Sequence, residues 1–173
     1  NSSSYWTNTS YKGQSDKAWY VDIKSYEGIV HRQYKTTSSY VRCVRGNQPG
    51  VSFIDNLNGT ISDNKTGLVW QKEDDNNKRN WTSALNYCED LVLGDRNDWR
   101  LPNLKEIFSI VDLSKYSPAI DSTYFPSTNS GGSDYYWSST TQIISNTLAR
   151  IWVPYSGHLG DQNKDQNNYT RCV

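Results

Sequence analysis

Residues 98–111 read Asp-Trp-Arg-Leu-Pro-Asn-Leu-Lys-Glu-Ile-Phe-Ser-Ile-Val, and this stretch switches the chain from extended backbone to helix. Pro102 biases the residue before it towards extended backbone, so residues 99–102 are predicted to be extended. Asn103 then predicts the start of a helix, because Glu106 follows it at the capping-box position. Apolar residues recur at helical spacing after Asn103, which predicts one buried helical face ending near residue 113.

Another helix is predicted upstream of this stretch. Asn80 is a favourable N-cap residue. From Trp81 to Cys88, apolar residues fall at positions i, i+3, i+4 and i+7, which form one face of a helix that ends near Leu91. Cys88 therefore lies on the buried face of the predicted helix, from which a bridge to a C-terminal strand is feasible.

Strands are predicted on both sides of the two helices. In front, residues 51–55 and 60–63 flank Asn58-Gly59, a strong hairpin signal because both residues tolerate positive φ. A third strand is predicted at 68–71. Behind the helices, long polar loops separate three more predicted strands: 135–140, 149–153 and 169–173. The predicted fold class is therefore α+β, with two helices and small antiparallel sheets.

The composition indicates a loop-rich protein with an aromatic core. The chain has 173 residues, of which 35% are apolar, and it contains 7 Trp and 13 Tyr. The formal net charge is zero, so no strong field draws it to nucleic acid or to an anionic membrane. We also expect no membrane span in this chain, because no apolar run approaches ~20 residues. Sequons for N-glycosylation, which matter only in a eukaryotic secretory setting, begin at Asn1, Asn8, Asn58, Asn64, Asn80 and Asn168.

The sequence contains an internal repeat. Tyr-Trp-Thr-Asn-Thr at 5–9 resembles Tyr-Trp-Ser-Ser-Thr at 136–140, and Tyr-Val-Arg-Cys-Val at 40–44 resembles Tyr-Thr-Arg-Cys-Val at 169–173. Four landmarks in the same order indicate duplication rather than chance. The two landmarks between the ends are Trp19-Tyr20-Val21 with 151–153, and Gly28 with Gly157.

The repeat predicts the domain organisation. Upstream of 136–140 the second copy continues to about residue 51, whereas the first copy has no such upstream part in this sequence. We therefore expect residues 1–46 to be the C-terminal half of a first repeat, without its front half. Residues 47–50 are the expected linker, because Gly and Pro interrupt regular structure there. Residues 51–173 are expected to form a complete domain.

The three cysteines fit this organisation. Cys88 and Cys172 both belong to the complete copy and can pair with each other. Cys43 is the repeat equivalent of Cys172, so its expected partner is the equivalent of Cys88, which lies outside this sequence. Two alternatives stay open for Cys43: a buried free thiol, or a front half supplied by a neighbouring molecule.

Taken in order, these motifs resemble the Lcl C-terminal domain family, a bacterial family named for a collagen-like surface adhesin. The motifs that carry the resemblance lie at 55–72, 81–88, 98–106, 136–140 and 171–173. Together they cover nearly all of residues 51–173, while residues 1–46 match only the family's back half.

The resemblance implies a C-type-lectin-like fold, with residues 1–46 as a half copy in front of the complete domain. It also implies secreted or cell-surface proteins, often with tandem copies. A helix cysteine commonly bridges the last strand in this fold, which supports a disulfide between Cys88 and Cys172. The functional implication is adhesion to sulfated polysaccharide, although a site for such a ligand should be basic and this chain is neutral.

The sequence does not indicate an enzyme. Its two histidines, His31 and His158, occupy non-equivalent positions in the two copies, and no zinc-type spacing of Cys or His exists. We expect no catalytic residue, no metal site and no cofactor. Calcium is the one alternative considered, because Asp161-x-Asn163-x-Asp165 has the oxygen spacing that opens an EF-hand loop. Gln166 and Cys172 replace the Gly and Glu that such a loop requires, so a solvated loop is the favoured interpretation.

Ligand contacts are expected in the polar loops of the back half. Aromatic and amide side chains on loops suit stacking on sugars and hydrogen bonding to hydroxyl groups. The candidate ligand-binding residues are Tyr155, His158, Asp161, Asn163, Asp165 and Asn167.

We therefore expect an extracellular or cell-surface, non-catalytic recognition and adhesion domain that binds a polysaccharide, another glycan or a surface protein. The alternative is a structural subunit of an extracellular filament or surface assembly, whose partners include further copies of itself. A third hypothesis is a hypervariable ligand-display protein, since related lectin-like folds with similar Tyr-Trp-Ser-Ser segments are diversified in some bacteria and phages.

Overall fold

The computed structural model describes residues 4–23, 30–45 and 52–173. Within these residues the chain forms two α-helices and three small antiparallel sheets of three strands each. This confirms the predicted α+β class. The expected linker 47–50, the landmark Gly28 and the sequon at Asn1 lie outside the described residues.

The first sheet comes from the N-terminal part of the chain. Its strands are β1 (Ser4–Ser10), β2 (Lys17–Asp22) and β3 (Val30–Tyr34), in the order β1-β2-β3. Trp19 at the middle of β2 is completely buried. The N-terminal segment thus folds as a meander around one tryptophan.

The second sheet is the predicted front hairpin and its third strand. It consists of β4 (Phe53–Asp55), β5 (Thr60–Asp63) and β6 (Leu68–Gln71), again in sequential order. The turn between β4 and β5 has positive φ at Leu57 and Gly59 rather than at Asn58. Asn58 instead accepts a hydrogen bond from the Thr60 hydroxyl at 2.7 Å.

Both helices start at the predicted caps and end slightly earlier than predicted. Helix α1 (Trp81–Glu89) begins after Asn80, whose side chain accepts a hydrogen bond from the Ser83 amide. Helix α2 (Leu104–Ile110) begins with the complete capping box of Asn103 and Glu106. These local hydrogen bonds satisfy amides that would otherwise have no intrahelical partner.

The third sheet corrects two expectations for the back half. It consists of β7 (Tyr136–Thr141), β8 (Leu148–Trp152) and β9 (Leu159–Asn163). The predicted strand at 169–173 is wrong: within it, only Tyr169 makes an isolated bridge, to Tyr136. The segment of β9 is predicted to be part of a long polar loop, and its sequence, Leu-Gly-Asp-Gln-Asn, contains one apolar residue and no β-branched residue. Asp161 and Asn163 therefore lie on a strand rather than in a loop.

The third sheet is buried on both faces. Tyr136 and Trp152 pack in a cluster with α2 and the second sheet. Trp137 and Ile151 belong to a different cluster, which includes α1 and the extended segment at 99–101. Because side chains alternate along a strand, the two clusters lie on opposite faces of the sheet. Each buried ring removes roughly 150–250 Å² from water, so the aromatic members contribute a large share of the buried area.

The C-terminal segment threads between these elements. A disulfide joins Cys88 of α1 to Cys172, which is the pairing that the resemblance implies. Val173 exchanges two backbone hydrogen bonds with Arg100, each of 2.9 Å, and the Cys172 carbonyl accepts one from the Gln71 amide. The segment is held by contacts to several elements in turn, which explains why it is not a regular strand.

A buried ion pair anchors the same segment. The Arg171 guanidinium lies 3.2 Å from a carboxylate oxygen of Asp74 and also donates to the carbonyls of Gln71 and Lys72. The Tyr136 hydroxyl donates to the same carboxylate. Burial raises the pKa of Asp74, and the Arg171 charge opposes this rise. This network gives the buried carboxylate of Asp74 hydrogen-bond partners inside the aromatic core.

The first and third sheets have matching registers. Trp6 pairs with Tyr20 in the first sheet and Trp137 pairs with Ile151 in the third, and a register shift follows each pair. Each sheet also receives one parallel bridge from a tyrosine further along the chain: Tyr5 with Tyr40, and Tyr136 with Tyr169.

The strand pairing of the two sheets changes the alignment of the two repeat copies by one residue in this region. It places Trp19 at the position of Arg150, whereas the sequence alignment matched Trp19 with the first residue of 151–153. A side-chain hydrogen bond supports this correspondence. The Thr7 hydroxyl donates to the Trp19 carbonyl at 3.0 Å, and the Ser138 hydroxyl donates to the Arg150 carbonyl at 2.9 Å.

Candidate functional site

Among the described residues, five side chains connect the first sheet and the residue after β1 with residues 52–173, which we call the C-terminal module. We call them the junction cluster: Tyr11, Arg32, Tyr116, Tyr155 and His158. The rings of Tyr11 and Tyr116 meet edge to face with centroids 5.8 Å apart, and those of Tyr116 and Tyr155 are 4.7 Å apart. The Arg32 guanidinium lies over the Tyr11 ring at 4.9 Å. The cluster is thus an aromatic contact with a cation at its edge.

Backbone hydrogen bonds position Tyr116 and Tyr155, the two tyrosines that the C-terminal module contributes to the junction cluster. The Ser117 amide donates to the Tyr155 carbonyl at 3.0 Å, and the Ala119 amide donates to the Pro154 carbonyl at 2.8 Å. These bonds hold the loop that carries Tyr116 against the loop that carries Tyr155. Gly13 allows the Tyr116 ring to approach closely, because a Cβ at this position would lie only 2.7 Å from that ring.

His158 links the two sides of the junction cluster. Its Nδ1 atom lies 3.3 Å from Arg32 Nη1 and 2.6 Å from the Ser156 hydroxyl. A guanidinium can only donate, so Nδ1 accepts and the neutral ring carries its proton on Nε2. Burial, followed by the charges of Arg32 and His31, lowers the pKa of His158 to about 4. The contact therefore requires a neutral imidazole.

The candidate ligand-binding residues divide into two places. Tyr155 and His158 belong to the junction cluster, where Tyr155 keeps 38% of its surface exposed. The others lie along β9 and the turn that follows it. There the Asp161 carboxylate is 3.3 Å from Arg150. The Asn163 side chain accepts a hydrogen bond from the amide two residues later at 3.1 Å. The exposed members of this second group are Asn163, Asp165 and Asn167.

The described residues contain no group of three or more His, Cys, Asp or Glu side chains that could hold a metal ion. The aspartate that opens the calcium-like spacing, Asp161, lies against the buried guanidinium of Arg150. None of the described helices is long and apolar enough to cross a membrane.

A groove between the first sheet and the C-terminal module was not foreseen from the sequence. Its volume is about 490 Å³, and it lies between Thr9 of β1 and helix α2. Phe53 and Phe108 supply aromatic walls, and Ser109 lies exposed at its margin. Its charged lining residues are Asp63, Lys65, Asp112 and Asp121. Hydroxyls, carboxylates and aromatic rings in one groove are suited to a polyhydroxylated ligand.

Three residues of the junction cluster are also absent from the candidate residues identified from the sequence. Tyr11, Arg32 and Tyr116 come from separate segments and meet only in the folded chain. No local pattern in the sequence distinguishes them from other tyrosines and arginines. The sequence feature that indicates such contacts is the density of aromatic residues in polar loops.

The Lcl C-terminal domain family matches residues 59–173, which is more than half of the chain. The chain therefore belongs to the Lcl C-terminal domain family. This confirms the resemblance drawn from the sequence motifs. No curated protein and no solved structure matches the chain at a significant level.

Proposed function

We propose that this member of the Lcl C-terminal domain family is a non-catalytic recognition and adhesion domain, secreted or at the cell surface, with a C-type-lectin-like fold. The observation that carries this proposal is the groove of about 490 Å³ beside α2, which combines aromatic walls with hydroxyl and carboxylate groups. The buried disulfide between Cys88 and Cys172 supports an oxidising compartment.

The charges of the groove favour a neutral glycan or one with amino groups over a sulfated one. Three aspartates and one lysine line it: Asp63, Asp112, Asp121 and Lys65. Lys115 pairs with the lining residue Asp121 at 3.2 Å and does not reverse the excess of negative charge. A sulfated polysaccharide would meet this lining with repulsion. The proposed ligand is therefore a neutral or amino-sugar polysaccharide.

A glycan array with the labelled chain, followed by calorimetry on the best ligand, tests this function. Ser109→Arg places a long side chain at the groove margin, and we expect it to lower affinity about tenfold or more. Ser83→Arg on the outer face of α1 is the matched control, because it is also exposed and helical but does not line the groove. Equal binding by both variants, or no binding to any neutral or amino glycan, would contradict the proposal.

We also propose the domain organisation that the repeat predicts. Residues 1–46 are the back half of a first family domain, residues 47–50 are a linker and residues 51–173 are a complete domain. Matching registers and matching bridges in the first and third sheets support this assignment. Limited proteolysis should release a stable fragment that begins near residue 51.

A structural subunit of an extracellular assembly is the second candidate function. It is favoured by the exposure of the first repeat's last residues: Val44 is 94% exposed, whereas its equivalent Val173 is 9% exposed. Apolar side chains left in water at one end of a domain suit contact with another polypeptide. Light scattering and electron microscopy of the oxidised chain would detect the resulting polymers, and a monomer across a wide concentration range would exclude them.

A further inference from the structure

Tyr116 and Tyr155 are the closest pair of tyrosine rings among the described residues. Their ring centroids are 4.7 Å apart, with an angle of 61° between the ring planes. The other tyrosine pairs in ring contact have centroids 5.4, 5.6 and 5.8 Å apart. Hydrogen bonding to the Tyr155 side chain, followed by burial, raises the pKa of Tyr116. The hydroxyl ends of the two rings therefore lie side by side.

The backbone holds these two tyrosines together. The amides of Ser117 and Ala119 donate to the carbonyls of Tyr155 and Pro154, so two hydrogen bonds join the loops that carry the rings. The loops also pack closely beyond these bonds, because a Cβ at Gly157 would lie only 3.0 Å from the Ala119 side chain. The ring contact is thus positioned in advance and does not depend on a chance approach of two mobile side chains.

The pair is accessible from solvent. Tyr155 keeps 38% of its surface exposed, and Tyr116 is partly exposed. Tyr11, the third ring of the junction cluster, is only 6% exposed. A reagent in solution therefore reaches Tyr155 and Tyr116 before it reaches Tyr11.

The local charges also distinguish this pair from the other tyrosine pairs. A cation lies over one ring of each of the other three pairs: Arg42 over Tyr5, Arg32 over Tyr11 and Lys78 over Tyr169. A nearby positive charge makes the loss of an electron from the ring less favourable. Within the part of the chain that the structure describes, neither Tyr116 nor Tyr155 has a cation over its ring, and the neighbouring Lys115 pairs with Asp121 at 3.2 Å. Tyr116 and Tyr155 are therefore the pair that loses electrons most readily.

We propose that Tyr116 and Tyr155 form an oxidative cross-linking site, at which a carbon–carbon bond joins the ring carbons next to their hydroxyl groups. The bond connects the loop that follows α2 with the loop between β8 and β9. Like the Cys88–Cys172 disulfide, it adds a covalent connection within the C-terminal module. It also fixes the two rings against which Tyr11 of the junction cluster packs.

The oxidant is hydrogen peroxide used by a haem peroxidase. Each tyrosine loses one electron and the proton of its hydroxyl group, which gives two neutral phenoxyl radicals. The radicals combine at the ring carbons next to the oxygens, and the hydrogen on each of these carbons then moves to the adjacent oxygen to restore the aromatic ring. In total the protein loses two hydrogen atoms, and one molecule of peroxide becomes two molecules of water.

Peptide mapping after treatment with a haem peroxidase and hydrogen peroxide tests this proposal on the intact chain. Trypsin cleaves after Lys115, Arg150 and Lys164, so the two tyrosines fall in the separate peptides 116–150 and 151–164. We expect these peptides to be joined in the monomeric fraction, with a mass lower by two hydrogen atoms and the fluorescence of dityrosine. Fragmentation of the joined species should locate the bond at Tyr116 and Tyr155.

Phenylalanine variants identify the residues that couple. Tyr116→Phe and Tyr155→Phe keep the rings but remove the hydroxyl groups, and each should lower the yield of the joined peptides by at least about tenfold. Tyr40→Phe is the matched control, because Tyr40 is more exposed than Tyr155 but belongs to another pair, and it should leave the yield unchanged. An unchanged yield in Tyr155→Phe, a bond located at Tyr11, or cross-links only between separate molecules would each overturn the proposal.

Hydrogen exchange measures the consequence of the bond for the fold. In the cross-linked monomer, exchange of the Ser117 and Ala119 amides should be about tenfold slower than in Tyr155→Phe after the same treatment, because the loops can no longer separate. Equal exchange in the two proteins would contradict a bond between these loops. If a variant does not fold, the peptide map of the unsubstituted chain decides, and the absence of joined peptides there refutes the site.

Discussion

Acidification provides a direct test of the junction cluster, because His158 accepts a hydrogen bond from Arg32 across it. Protonation of Nδ1 would remove the acceptor and place a second positive charge 3.3 Å from Nη1. His31 adds to the repulsion, since its charge also lowers the pKa of His158. The first sheet should therefore be held less tightly to the C-terminal module in acid than at neutral pH.

The size of this effect follows from the pKa of His158. The pKa falls from 6.5 in the unfolded chain to about 4 in the fold. The unfolded state therefore binds more protons, so stability is fully present above about pH 6.5 and decreases as the pH falls towards about 4. The full difference corresponds to about 3 kcal/mol. Because the ring is partly exposed, solvent screening reduces the expected loss to about 1–2 kcal/mol.

Urea unfolding of the chain and of His158→Gln, each near pH 7 and near pH 5, isolates this contribution. Gln can accept the hydrogen bond from Arg32 but does not titrate in this range. Because only about half of the full difference is reached at pH 5, we expect the wild-type chain to lose about 0.5–1 kcal/mol more than the variant on acidification. Titration of other groups, including Asp74, is common to both proteins and cancels. The same pH dependence in both would refute the assignment of a neutral, accepting His158.

Two further predictions concern the C-terminal segment. Arg171→Ala removes the partner of the buried Asp74 and should lower the free energy of unfolding by about 3–5 kcal/mol in urea titrations. The matched control is Arg42→Ala at the exposed repeat equivalent, which should change it by less than about 0.5 kcal/mol; equal effects would mean that the buried pair does not stabilise the fold. Replacement of Cys88 and Cys172 by Ala should cost about 4 kcal/mol, because their bond closes a loop with a sequence separation of 84. Thermal unfolding with Cys43→Ala as the control checks this, and no difference between the two proteins would contradict it.

The parts of the fold that were predictable are those with short-range causes. Asn80 and Asn103 cap the two helices through hydrogen bonds to amides three residues away, so the sequence alone reveals both starts. The front strands likewise carry alternating or β-branched residues around a recognisable turn. Local chemistry determines these elements, whatever packs on them later.

The back half was harder to predict because its causes are long-range. Strand β9 has a weak strand sequence, yet β8 pairs with it from Leu148 to Trp152. The segment 169–173 has a strong strand sequence, but its backbone bonds go to separate elements, including Arg100. Pairing partners rather than intrinsic preference decide both cases.

The candidate site shows the same limit. Tyr155 and His158 could be named from the sequence because they are aromatic residues in a polar loop. The partners that give them geometry, Tyr11 and Arg32, lie more than a hundred residues earlier in the chain. Contacts across such a separation leave no periodic pattern, so the groove beside α2 could not be located without the fold.

The two repeat copies end in nearly the same sequence, and a comparison of these endings shows which properties come from the motif and which come from its surroundings. Tyr-Val-Arg-Cys-Val at 40–44 and Tyr-Thr-Arg-Cys-Val at 169–173 make the same bridge to their sheets. Yet Val44 is 94% exposed and Val173 is 9% exposed. The motif determines the backbone path of each ending. The front half of the domain determines whether the ending is buried, whether its cysteine forms a disulfide and where its arginine lies. Whether these apolar residues are buried therefore depends on what packs against the ending and not on the ending's own sequence.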